Sequence, residues 1–199
     1  MHFEIHITVE TNDIRQFCED CKKLGVKPIV IETQKRNGFG IQVMTSSKYS
    51  DDHYQRELDL LVRTLTEMKY VILRRKVEIQ PESFQKNPEF IYYECHIKLM
   101  LPRNMNREAV RDVVTHRGWY WSRNIFKYEV DMDIQMITLR RPSMRYQEFI
   151  TVVDNMKMSL DNMNVHYGKI EIEECVFDSN QRIDEDWMTA YFRQTSMLM

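Results

Sequence analysis

Glycine and proline are scarce in this chain, five of each among 199 residues, which argues against long flexible linkers. No apolar run approaches the roughly 18 residues that mark a membrane-spanning helix. The N-terminus enters a strand-like pattern at once, with no signal-peptide pattern ahead of it. Neither sign of charge dominates: 28 Lys and Arg stand against 30 Asp and Glu, a net charge of −2, so there is no basic footprint for long nucleic acid and no acidic tail. Four cysteines are too few for a disulfide scaffold at this length. Cys18 and Cys21 form a CxxC inside a helical pattern with no second ligand pair beside it, so we expect two small helix residues there. Dinucleotide fingerprints, P-loops, GxSxG and HExxH are all missing. These absences leave a soluble globular protein, expected in the reducing cytoplasm, with no membrane partner.

What is present is an apparent repeat. HFEIHITVE near the start resembles YYECHIKLM in the middle, pairing Glu4 with Glu94, His6 with His96 and Thr8 with Lys98. Further along, Gln42 matches Gln135, Lys76 matches Lys169 and Glu78 matches Glu171, at a constant offset of 93 positions. Each half reads strand, helix, strand, strand, helix, strand. FEIHITVE alternates strictly, with Ile5, Ile7 and Val9 on one face and Glu4, His6 and Thr8 on the other. Leu58, Leu61, Val62 and Leu65 form a helical stripe preceded by a Ser50, Asp51, Asp52 start signal. Asn37 and Gly38 mark a turn.

This order predicts an α+β protein of two tandem ferredoxin-like (βαββαβ) repeats, antiparallel sheets with helices on one face and polar open faces forming a cleft or barrel. The expected boundaries are repeat 1 over 1–81, a linker over 82–90, repeat 2 over 91–178 and a C-terminal extension over 179–199. Trp187, Tyr191 and Phe192 suggest that the extension packs on the body.

Two histidines facing one cleft suit phosphoester chemistry, because one imidazole can take a proton from an attacking hydroxyl or water while the other donates to the leaving oxygen. His6 and His96 are therefore the candidate catalytic pair. Thr8, Lys98, Arg123, Gln42 and Gln135 are candidate ligand-binding residues, and Glu4 and Glu94 would orient the histidines. Trp119, Tyr120 and Trp121 are expected in the core rather than stacked on a base. Arg74, Arg75 and Lys76 look like a solvated strand end.

His6 to Thr8 (HIT) and His96 to Lys98 (HIK) resemble the paired HxT or HxS motifs of the two-histidine, RNA-ligase-like phosphoesterases, with a lysine in place of the second hydroxyl. That resemblance implies two related lobes and metal-independent phosphodiesterase activity. Glu94, His96 and Lys98 (ExHxK), with Arg140 and Arg141, resemble the ExExK strand of triphosphate-tunnel enzymes, which would imply Mg or Mn as cofactor; otherwise no cofactor is expected. HFEIHITV, IQVMTS, YYECHIKL, WSRNIFK, ITLR and VFDSNQRIDEDW are similar to an uncharacterised family of duplicated bacterial and viral proteins, a likeness that implies no activity. The expected function is a nucleotide or phosphoester binding protein, with phosphodiesterase action as its enzymatic form and a small phosphorylated ligand as its partner. The alternatives are a non-catalytic interaction or structural module, in which exposed sheet edges would allow oligomers to form, and a metal-dependent triphosphate-tunnel-like hydrolase.

Overall fold

A computed structural model describes residues 2–35, 38–50, 54–81, 90–127 and 129–185. In chain order the elements are β1 (Phe3–Glu10), α1 (Ile14–Leu24), β2 (Lys27–Lys35), β3 (Gly38–Tyr49), α2 (Tyr54–Glu67), β4 (Val71–Ile79), β5 (Tyr92–Pro102), α3 (Arg107–His116), β6 (Tyr120–Asn124), β7 (Met132–Pro142), α4 (Tyr146–Asn162) and β8 (His166–Asp178). A short 3₁₀ turn, η1 (Gln181–Asp184), follows β8.

The eight strands form one closed barrel in the order β1-β3-β2-β6-β7-β5-β8-β4. Every neighbouring pair is antiparallel. This corrects the expectation of tandem ferredoxin-like sheets with helices on one face, and with it the duplication as the organising plan. The arc β4-β1-β3-β2 does not stand alone. Its β4 edge pairs with β8, Lys76 opposite Asp178, and its β2 edge pairs with β6, Glu32 opposite Arg123. Closure gives every edge a partner, whereas two open sheets would have left four rows of unpaired backbone groups. Edge-to-edge dimerisation therefore has no free strand among the described residues.

Helices cover the outside of this barrel. Ile5, Ile7 and Val9 of β1 face outward and pack with Phe17 of α1 and Leu58, Leu61 and Leu65 of α2. Cys95, Ile97 and Leu99 of β5 pack in the same way with Val110 and Val114 of α3 and Phe149, Val153 and Leu160 of α4. Period-two strands and helical stripes thus build two apolar cores on the outer face and leave the polar strand face inside. Trp119 and Trp121 belong to the second outer core, and Tyr120 is also buried.

Local signals set the helix ends. Asp13 caps α1 by accepting from the Gln16 amide at 2.9 Å. Gly25 ends α1 in the left-handed region at φ 69°. Gly118 ends the α3 turn at φ 74°, where a Cβ would lie 3.0 Å from Arg141 Nη2. Asn37, Asp51 and Asp52, most of the expected linker, and Trp187, Tyr191 and Phe192 lie outside the described residues. The four cysteines are free thiols. Among the described residues no helix is long and apolar enough to cross a membrane.

Candidate functional site inside the barrel

The inward strand faces enclose a cavity of about 740 Å³. An eight-stranded barrel has an interior that side chains just fill or that holds one small ligand. Here one end is filled and the rest is open.

Buried ions fill the closed end. Arg74 of β4 makes a two-pronged ion pair with Asp178 at 2.9 and 2.5 Å, and its other arm reaches Asp184 at 2.9 Å. Arg140 of β7 holds Glu94 through two contacts of 2.8 and 2.7 Å and reaches the same Asp184 oxygen at 2.9 Å. Gln42 of β3 donates to the other Asp184 oxygen at 2.8 Å. Asp184 comes from η1, so the segment after β8 is pinned to three strands at this end. The Tyr92 ring lies against the Arg140 guanidinium, 4.5 Å from it, and its hydroxyl donates to Asp178 at 2.7 Å. The Arg74 and Arg140 guanidiniums hold the carboxyls of Asp178 and Asp184 below the usual carboxylate range against the opposing effect of burial.

The two histidines stand in the middle. His6 on β1 lies opposite Lys76 of β4, and His96 on β5 lies opposite Glu171 of β8. His6 Nε2 is 3.2 Å from Glu78 and 3.5 Å from Glu4, and its Nδ1 has no hydrogen-bond partner. His96 Nδ1 is 2.9 Å from the Thr138 hydroxyl, and Nε2 lies 3.4 Å from Glu94 and 3.7 Å from Glu173. Burial disfavours the His96 charge, but hydrogen bonding to Glu94 and the charges of Glu94 and Glu173 outweigh it and push the pKa up to about 9. His96 is therefore imidazolium at neutral pH. Lys76 bridges Glu78 and Glu94, 2.7 Å from each.

Toward the open end, Glu4 pairs with Lys48 at 2.9 Å and accepts from Ser46 at 2.7 Å. Burial opposes its charge, yet the His6, Lys48 and Ser46 interactions hold its pKa down to about 2. Lys27, Lys127 and Lys169 line the cavity here. The Lys127 pKa is lowered by burial first and then by Lys27, with Lys98 and Lys169 adding to the repulsion. Neither Lys27 nor Lys127 has an ion-pair partner among the described residues. Ile29, Ile31, Met44 and Met136 give the cavity an apolar wall.

The structure brings His6, His96, Glu4, Glu94, Thr8 and Gln42 to one cavity. It does not bring the other three candidates there. Lys98 is not among the lining residues and pairs with Glu129 at 3.1 Å. Arg123 is exposed, pairs with Glu32 at 3.2 Å and borders a separate outer groove of about 450 Å³. Gln135 is buried against Asp133 instead. Its strand presents Met136, Thr138 and Arg140 to the cavity, so Gln135 shares the opposite face with Ile137 and Leu139.

Gln135 shows why the 93-residue offset misleads. His6 faces Ser46 and His96 faces Thr138, so the inner faces of β3 and β7 correspond at an offset of 92. A slip of one residue turns a strand inside out. In the closing strands, Glu4 faces Glu78 and Glu94 faces Glu173, an offset of 95, which keeps the face but shifts the partners by two. Arg74 and Lys76 are not a solvated strand end; they are 5% and 7% exposed inside the barrel. Asp184, Ser46 and Lys48 were missed as well. Alternation in SSKY could have exposed Ser46 and Lys48, but no local signal marks Asp184.

No family model matches the chain, and no curated protein matches it. A solved structure described as an unknown protein from Galdieria sulphuraria is similar at 15% identity, covering 87% of this chain and 97% of that one, with a TM-score of 0.25.

Proposed function

We propose that the barrel cavity binds a small phosphorylated ligand, a nucleotide or a phosphoester, and that His6 and His96 make it a phosphodiesterase. One observation carries this reading: both histidines, on strands 90 residues apart in sequence, line the same cavity. Their surroundings differ in the way an acid–base pair needs. His96 is held protonated and can donate to a leaving oxygen. His6 differs: its Nε2 stands beside the Glu4 and Glu78 carboxylates, which orient the ring, and its Nδ1 is buried without a partner. Lys27 and Lys127 near the open end, without an ion-pair partner among the described residues, supply positive potential that draws in an anion. The apolar wall of Ile29, Ile31, Met44 and Met136 suits a base or another ring, so an organic phosphate fits better than free phosphate.

A metal-dependent tunnel hydrolase shares the closed barrel. Among the described residues, however, no three His, Cys, Asp or Glu side chains form a group able to hold a metal, and most interior carboxylates are engaged by Lys76, Arg74 and Arg140. The non-catalytic alternative draws support from the same ion network, which is what a purely structural polar core would contain.

The test is hydrolysis of 2′,3′-cyclic nucleotides, cyclic dinucleotides and nucleoside triphosphates, with EDTA or with Mg²⁺ or Mn²⁺. The expected outcome is turnover that survives EDTA and falls by about 10²-fold or more in both His6→Ala and His96→Ala. Turnover of triphosphates alone, and only with metal, would favour the tunnel enzyme. A folded wild type that binds nucleotides without turnover would be a binding protein.

A further inference from the structure

Five carboxylates line the cavity, and four of them have a cationic partner. Glu4 pairs with Lys48, Glu94 with Lys76 and Arg140, Glu171 with Lys169, and Asp184 with Arg74 and Arg140. Glu173 of β8 has neither a lysine nor an arginine ion-pair partner among the described residues; its close ionic contact is His96 Nε2, 3.7 Å away. It is 12% exposed, so water screens it poorly.

The charges around it decide which form it takes. From β1 it faces Glu4, from β3 the Lys48 ammonium that Glu4 already holds, from β4 Glu78 and Lys76, and from β5 His96 with Glu94 beside that ring. Lys76 is already shared by Glu78 and Glu94, and His96 by Glu94. A further negative charge here would be buried and opposed by Glu78 and Glu4, with His96 at 3.7 Å as its one close ionic contact and the nearby lysines held by other carboxylates. Carboxylates crowded in this way cannot all ionise.

Resting on the reading of the cavity as a phosphate-ligand site, we propose that Glu173 stands in the barrel as a neutral carboxylic acid and donates a hydrogen bond to a phosphate oxygen of the ligand. An ionised Glu173 would repel that oxygen, whereas the acid form offers a donor next to the His96 imidazolium. The two groups then present adjacent protons to one anion, and the paired carboxylates around them stay out of its way. Glu173 thus sets the upper pH limit of ligand binding. Burial and the charge of Glu78 raise its pKa to about 8, below the value of about 9 for His96, so its proton is lost first.

The experiment has two arms on the full chain. Glutamate carrying ¹³C at the side-chain carboxyl, assigned through Glu173→Gln, is titrated by NMR to find the pH at which Glu173 ionises. Calorimetry then measures the affinity for AMP and for inorganic phosphate from pH 6 to pH 9.5, for wild type, Glu173→Gln and Glu173→Ala. The expected result is a Glu173 midpoint near neutrality or above. Wild-type affinity should fall about tenfold per pH unit just above that midpoint. Glu173→Gln, which keeps an N–H donor without a charge, should hold the low-pH affinity through that window, and Glu173→Ala should bind weakly at every pH. A Glu173 midpoint in the ordinary carboxylate range overturns the proposal. So does a Glu173→Gln profile that tracks wild type, or Mn²⁺ binding abolished by Glu173→Gln. If neither probe binds any variant while Glu173 titrates high, the phosphate reading of the cavity fails and the donor role with it, while the neutral acid remains.

Discussion

Lys76 shows how single residues work in this barrel. At 7% exposure it would be costly to bury alone, but Glu78 and Glu94 each hold it at 2.7 Å and keep it charged. His96 and Glu4 are held charged in the same way, and Glu173 is held neutral. These shifts give the fold a pH dependence whose sign can be worked out. His96 has a folded pKa of about 9 against an ordinary 6.5, so its contribution is complete below 6.5 and lost as pH rises through 9. Glu173, raised to about 8 from 4.5, keeps in the folded state a proton that the unfolded chain releases, so its contribution also falls as pH climbs toward 8. Glu4, lowered to about 2, acts oppositely: its contribution is present above 4.5 and lost as pH falls through 2. Melting temperature should therefore decline between pH 6.5 and 9, and Glu173→Gln should flatten the lower part of that decline. Calorimetric scans across this range check it; a flat wild-type profile would mean that neither group carries its proton through folding.

At the scale of elements, the strands that could be read were those with strict alternation. FEIHITVE and YYECHIKL put Glu4, His6, Thr8, Glu94 and His96 on one strand face, and the barrel turns that face inward. Lys98 lies on the same strand, yet Glu129 engages it away from the cavity lining, a contact made by a loop that strand alternation does not describe. Gln135 failed because the match between halves was carried at one fixed offset, while the segments between strands differ in length: His6 and its partner Ser46 are 40 residues apart, His96 and its partner Thr138 are 42 apart. Asp184 failed for another reason. It sits on a four-residue 3₁₀ turn, and only the assembled barrel places Arg74 and Arg140 beside it. That turn makes a prediction of its own. Asp184→Ala leaves two guanidiniums short of a partner inside the barrel end, and removing one member of a buried ion pair costs about 3–5 kcal/mol. Urea denaturation should show a loss of that size. A loss under about 1 kcal/mol would mean that Asp178 and Glu94 suffice and that the turn is not a structural pin.

For the molecule as a whole, closure was the feature that local patterns could not settle, because a polar strand face reads the same whether it meets water or the inside of a barrel. What decides it is pairing between distant strands, and the two seams that close the barrel are short. The β2–β6 seam has three residue pairs, Ile31 with Asn124, Glu32 with Arg123 and Thr33 with Ser122, and the β4–β8 seam has four. By contrast β5 and β7 pair over eleven. The shorter seam also borders the cavity, since Ile31, Ser122 and Asn124 line it, whereas the β4–β8 seam is tied down by Arg74, Asp178 and the η1 turn. Local opening draws on the regions with the fewest cooperative contacts. Amide exchange should therefore be fastest, among strand residues, at 31–33 and 122–124, and slowest in the middle of β5 and β7. A ligand held in the cavity touches both sides of the short seam, so binding should slow exchange there more than in β5. Equal protection around the ring would mean that the barrel opens only by global unfolding, and ligand entry would then have to use the lysine-lined mouth alone.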